Sequence, residues 1–150
     1  MNVTLKEIIL VAMTGCIPAL LIQFNEGFIK LKEFAFGAIV PNYLFYYFLS
    51  FFLLHVLFTS FLWLYGYKFS PDKQKEAKQK IIYIGKVGDS TLGIYRLVSG
   101  LLFTIPILWK YMEPDTLTNL QFVVLVLYAL LFLGGVISIS SINLWAKSKL

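Results

Sequence analysis

A chain of 150 residues has room for one compact domain, but 59% of it is hydrophobic and only 14% charged, with a mean hydropathy of +0.77 and a formal net charge of +5. Soluble domains carry about 25% charge, so this chain cannot cover itself with polar surface in water, and the composition points to a bilayer. The same balance excludes intrinsic disorder, and a single cysteine excludes a disulfide scaffold.

Crossing the hydrocarbon core takes about 20 mostly apolar residues as a helix. The first such run is 8–24, IILVAMTGCIPALLIQF, preceded by Lys6. The MTGC within it resembles the attachment site of a lipidated signal peptide, but the apolar run continues past Cys16, so an uncleaved first helix is expected. Pro18 removes a backbone donor and frees the carbonyl of Thr14. Cys16, with no second cysteine, is expected to pack as a small apolar side chain.

Residues 25–41 follow, NEGFIKLKEFAFGAIVP, in which Phe28, Ile29, Leu31 and Phe34 mix with Glu26, Lys30, Lys32 and Glu33. This is an amphipathic stretch suited to the outer interface. Pro41 places the start of the second helix near Asn42.

The second run, 42–67, and the fourth, 120–145, contain no Asp, Glu, Lys or Arg. His55, the only histidine, falls near the middle of the second run, and an ionisable group at that depth is a functional candidate. It suits a proton relay or a hydrogen bond to a ligand; the alternative is a neutral imidazole bonded to a Ser or Thr of a neighbouring helix. One histidine supplies neither paired haem ligation nor a zinc site, and no cofactor is implied.

Between the second and third runs, 68–91 reads as a basic cytoplasmic loop. Ser70, Pro71 and Asp72 start a short helix there, Gly85 and Gly88 suggest turns, and Asp89 or Ser90 caps the next span. Lys78, Lys80 and Lys86 are candidate contacts for anionic headgroups, each worth about 1 kcal/mol near such a surface. GKVGDS lacks the order of a phosphate-binding loop.

The third run, 92–111, carries Arg96 one turn inside the boundary, a candidate contact for an anionic headgroup that could also neutralise a partner carboxylate or a substrate, or simply snorkel, and Pro106, which frees the carbonyl of Leu102. A short outer loop with Glu113, Asp115 and Asn119 leads into the fourth run. There Gly134, Ser138 and Ser141 line one face at helical spacing, a surface on which another helix can approach closely. Trp63, Tyr65, Tyr67, Tyr95, Trp109, Tyr111 and Trp145 fall at span ends, with Tyr43, Tyr46 and Tyr47 at the outer end of the second, as interface anchors do.

Lys6, the six lysines and one arginine between 68 and 96, and Lys147 and Lys149 lie on one side of this threading. Lys30, Lys32 and Lys110 lie on the other. The positive-inside rule then places both termini and the 68–91 loop in the cytoplasm or its equivalent. The expected architecture is an all-α, polytopic bundle of four transmembrane helices, N-in and C-in, forming a single domain over 1–150. It suits a bacterial inner or plasma membrane or an organellar membrane. The charge asymmetry accounts for the basic loop without a nucleic-acid partner.

Two stretches, QFNEGFIKLKEF at 23–34 with its G-x-x-K-L pattern from Gly27 to Leu31, and LWLYG at 62–66 closing the second span, resemble the DoxX-like four-helix membrane proteins. The resemblance implies a small helper subunit of a redox or receptor assembly. The chain departs from the pattern in its longer 68–91 connection and in carrying His55 where an acidic residue is common.

The sequence holds no catalytic triad, metal cluster or nucleotide motif. The leading expectation is therefore a non-catalytic accessory or structural subunit of a larger membrane complex, partnered by other subunits or by itself and by anionic lipids at the cytoplasmic face. The alternatives are a small homo-oligomeric transporter or channel with His55 in a polar pathway, and a small membrane enzyme with a lipid-like substrate.

Overall fold

The computed structural model describes residues 2–36, 42–68 and 71–147. Pro41, Ser70 and Lys149 lie outside the described residues, as do the side chains of Phe34, Asn42, Tyr43, Tyr67, Gly88 and Asp89. Every regular element among the described residues is a helix: α1 Val3–Val11, a π-segment Ala12–Cys16, α2 Ile17–Glu26, α3 Phe28–Phe36, α4 Asn42–Lys68, α5 Pro71–Met112 and α6 Asn119–Lys147. Four stretches are long and apolar enough to cross a membrane: Val3–Glu26, Tyr46–Gly66, Ser90–Met112 and Asn119–Lys147.

The first span begins five residues earlier than its apolar run. Asn2 caps it, its side chain accepting from the Thr4 amide at 3.2 Å, so Lys6 and Glu7 are helical. Ahead of Pro18 the backbone widens into the π-segment, where the Ile17 N–H reaches the Ala12 carbonyl. Thr14 Oγ1 donates to the Leu10 carbonyl at 2.8 Å, so the expected kink is resolved within the first span as a π-turn. Gly27 ends α2 at φ 86°, a conformation that side chains disfavour, with its N–H on the Gln23 carbonyl. The chain then folds back as α3, which buries Phe28 and Leu31 beside Ala19 and Ile105 and leaves Ile29 and Lys30 exposed.

The main departure from expectation is α5. It is one unbroken helix of 42 residues, about 63 Å long at 1.5 Å per residue. Gly85 sits in mid-helix rather than at a turn, the backbone at Gly88 is helical too, and Ser90 caps nothing. A glycine in a helix costs about 1 kcal/mol, and packing outweighs it here: a Cβ at Gly85 would lie 3.3 Å from Asn143 Oδ1, and Ile81 is buried with Leu62, Ile142 and Ala146. Pro71 and Asp72 open the helix as their chemistry suggests. The first part of α5 is thus an extension clasped by the ends of α4 and α6, not a loop.

Thr118 and Gln121 form a reciprocal capping box at the start of α6: the Gln121 amide donates to Thr118 Oγ1 at 3.2 Å, and the Thr118 amide donates to Gln121 Oε1 at 3.1 Å. The pairs Glu7–Arg96 and Gly15–Gly100 show that α1 and the π-segment run in the direction of α5, while His55–Tyr95 with Gly66–Ala77, and Ser99–Ala129 with Gly85–Asn143, show that α4 and α6 run against it. Phe52, Tyr95, Phe132 and Val136 form the centre of the bundle, so Tyr95 is a core residue and not the interface anchor expected from its place near the end of the third run. Gly135 is the close-approach glycine of α6, with the Phe52 ring against its backbone. Gly134, Ser138 and Ser141 face outward instead: nothing lies within 4 Å of a Cβ at Gly134, and Ser138 Oγ donates to the carbonyl of Gly134.

Candidate functional site

Six consecutive positions of α5 connect it to every other spanning helix. Tyr95 faces α4, Arg96 faces α1, Ser99 faces α6 and Gly100 faces the π-segment. Helical geometry explains the arrangement: residues four apart share a face of a helix of 3.6 residues per turn, so Tyr95 and Ser99 serve the side toward α4 and α6, while Arg96 and Gly100, about 100° further round, serve the side toward the first span.

Arg96 meets Glu7 in a forked ion pair. Its Nε donates to Oε2 at 2.7 Å and its Nη2 to Oε1 at 2.9 Å, a geometry in which a carboxylate and a guanidinium satisfy each other. The Glu7 side chain is 2% exposed and that of Arg96 19%. Sequence reading missed Glu7, which sits next to Lys6 and looks like part of a solvated entry. Of the roles open to Arg96, the structure shows the partner carboxylate rather than snorkelling or a headgroup: the guanidinium turns inward to Glu7, 89 residues away.

Gly15 and Gly100 form a second unforeseen contact. A Cβ on either would lie 2.6 Å from the other's Cα, so the two backbones touch. Cys16 Sγ lies 3.6 Å from the Gly100 carbonyl beside them. On the opposite side Ser99 Oγ donates to the Ala129 carbonyl at 3.2 Å.

His55 is half-buried, with Nδ1 3.4 Å from Tyr95 Oη, longer than a strong hydrogen bond. Its neighbour is a tyrosine rather than the expected Ser or Thr. Thr59 Oγ1, one turn on, donates at 2.7 Å to the His55 backbone carbonyl rather than to the imidazole. The Tyr95 ring is fixed by an edge contact with Phe52 at 4.8 Å, and Phe52 stacks on Phe132 at 4.3 Å. The outer side of His55 borders an open groove of about 390 Å³ between α4 and α5. Among the described residues no three of His, Cys, Asp and Glu come together.

The remaining candidates are spread along the α5 extension. Lys78 Nζ lies 5.1 Å from the centre of the Trp145 ring. Lys80 pairs with Glu76 at 2.7 Å, a contact that lowers the Glu76 pKa and raises that of Lys80 through the shared hydrogen bond first and then charge. Lys86 is exposed.

At the far end of the bundle Lys32 ties α3 to the α5–α6 connection. Its Nζ lies 2.8 Å from Glu113 Oε2 and 4.5 Å from the Trp109 ring centre. Trp109 Nε1 donates to Thr116 Oγ1 at 2.7 Å, and Thr116 Oγ1 donates to Glu113. The Lys32 hydrogen bond, with that of Thr116, holds the Glu113 carboxyl below the usual glutamate range, against a smaller opposing effect of desolvation.

Comparison with protein-family models, curated proteins and solved structures finds no match for this chain.

Proposed function

We propose that the protein is a multi-pass membrane protein, N-in and C-in, serving as a non-catalytic structural subunit of a larger membrane assembly. The observation that carries this reading is the use made of the polar groups within the spans. Glu7 and Arg96 satisfy each other, Ser99 bonds a backbone carbonyl and His55 approaches Tyr95. Each joins two helices, as expected of polar groups that hold a bundle together, and they do not line one common path. The outward surface of α4 and α6 is apolar, with Leu54, Leu57, Phe61 and Leu127 each about 60% exposed or more, so it suits lipid and partner helices.

Self-association is the second reading. It is favoured by the exposed Gly134, Ser138 and Ser141 beside a groove of about 460 Å³ that also touches Ser60 and Trp63. A photoactivatable residue at position 138, compared with one at Leu127, separates the two. Adducts with one other protein at a defined mass from position 138 in native membranes support the subunit reading. Adducts only with further copies of this chain support self-association.

A further inference from the structure

The groove beside His55 continues along α4 and α5. It shares Phe58, Tyr83 and Ile84 with a second cavity of about 370 Å³, which ends at Gln79 and Lys80. From Gln79 to Thr91 the combined groove runs about 18 Å along α5 at 1.5 Å per residue, slightly more than half of a hydrocarbon core of about 30 Å. Its walls are apolar, and Leu54 and Tyr83 on its rim are 66% and 73% exposed. That shape admits a hydrocarbon chain one leaflet long.

The choice of occupant comes from charge at one end. Lys80 lines the groove at its Gln79 end, whereas Lys86 lies midway between Gln79 and Thr91 and lines neither cavity. Lys80 shares its ammonium with Glu76, yet an ammonium has three donors and can take a second anion. Lys73, Lys75 and Lys78 add positive charge at that end of the helix. Among the described residues the opposite end is lined by Phe51, Leu54, His55 and Thr91, with no lysine or arginine.

We propose that the α4–α5 groove binds a membrane lipid with an anionic phosphate headgroup, its phosphate at Lys80 and one acyl chain laid over Phe58 and Leu54 toward His55. This deepens the membrane-spanning reading above and rests on it. A zwitterionic lipid presents the same chain but sets its own cation against the lysines, so the groove selects by headgroup charge.

The test is tryptophan quenching by brominated acyl chains. The full chain is reconstituted into phosphatidylcholine vesicles containing brominated phosphatidylglycerol or equally brominated phosphatidylcholine. Leu54→Trp reports on the groove and Leu127→Trp on the open surface of α6, each read as the increment over the unsubstituted chain. At Leu54→Trp the anionic lipid is expected to bind more tightly than the zwitterionic one by about fivefold for each engaged lysine; at Leu127→Trp the ratio is near one. Lys80→Gln lowers the ratio at Leu54→Trp, Lys86→Gln leaves it unchanged, and Glu76→Gln raises it by freeing Lys80. Equal ratios at the two positions, or no response to Lys80→Gln, overturn the proposal while leaving membrane insertion intact. Absence of quenching at both positions overturns the membrane reading, and the lipid site falls with it.

Discussion

Glu7 and Arg96, 89 residues apart, lock the first helix to the fifth through two hydrogen bonds of 2.7 and 2.9 Å. Removing one partner of a buried pair leaves the other charge uncompensated, at a cost of about 3–5 kcal/mol, whereas replacing both with apolar groups of similar volume is often close to neutral. Glu7→Met and Arg96→Met are therefore each expected to lower thermal stability in detergent strongly, and the double variant carrying both to recover most of the loss. Additive losses in that cycle would contradict a structural ion pair.

The Gly15–Gly100 contact predicts a contrast between glycines. At Gly100 a new Cβ meets the Gly15 backbone at 2.6 Å and the Val11 carbonyl at 2.8 Å, while at Gly134 it meets nothing within 4 Å. Gly100→Ala should destabilise by about 1–3 kcal/mol through overpacking, and Gly134→Ala, with open space and a better helix former, should gain up to about 1 kcal/mol. Unfolding of the two variants under identical detergent conditions gives the comparison.

Tyr95 has two roles that substitution separates. Tyr95→Phe keeps the ring against Phe52 and loses only the long contact to His55, so a loss of about 0.6 kcal/mol is expected, the average for polar contacts between membrane helices. Tyr95→Ala empties the centre of the bundle and should cost about 3–5 kcal/mol, as large aromatic truncations do. A large effect of Tyr95→Phe on stability would show that the hydrogen bond matters more than its 3.4 Å length implies.

Glu113 gives a pH dependence of known sign. Its carboxyl titrates below the ordinary glutamate range because the carboxylate accepts from Lys32 and Thr116. A depressed carboxyl contributes stability that is fully present above the unfolded-state value, about 4.3, and is lost as pH falls through the lower folded value. The melting temperature of the unsubstituted chain should exceed that of Glu113→Gln at neutral pH, and the gap should close in acid below about pH 4. A gap that persists unchanged in acid would contradict the Lys32–Glu113 pairing.

The helices were legible because apolar runs of about 20 residues leave few alternatives, and Pro71 with Asp72 marked the start of α5 by local chemistry. The Thr118–Gln121 capping box was equally local and readable from its spacing, although the sequence reading passed over it. The contacts made between distant segments were not legible. Glu7 has no periodic signal that points to Arg96. Gly85 looks like punctuation until Asn143 packs over it. Gly134 and Gly135 are adjacent and equally small, yet about 100° of rotation on the helix sends one outward and the other against Phe52. The chain shows which residues are small or charged; only the packing of the helices decides which face each one serves.

The central claim, that the polar groups of the spans serve assembly rather than chemistry, is tested most directly by extracting the protein from its native membrane in mild detergent. A native gel and mass spectrometry of the purified particle then give its composition. The account predicts a particle containing this chain and other membrane proteins in fixed ratio. A particle made only of copies of this chain, with solute flux or ligand binding that disappears in His55→Ala, would contradict it.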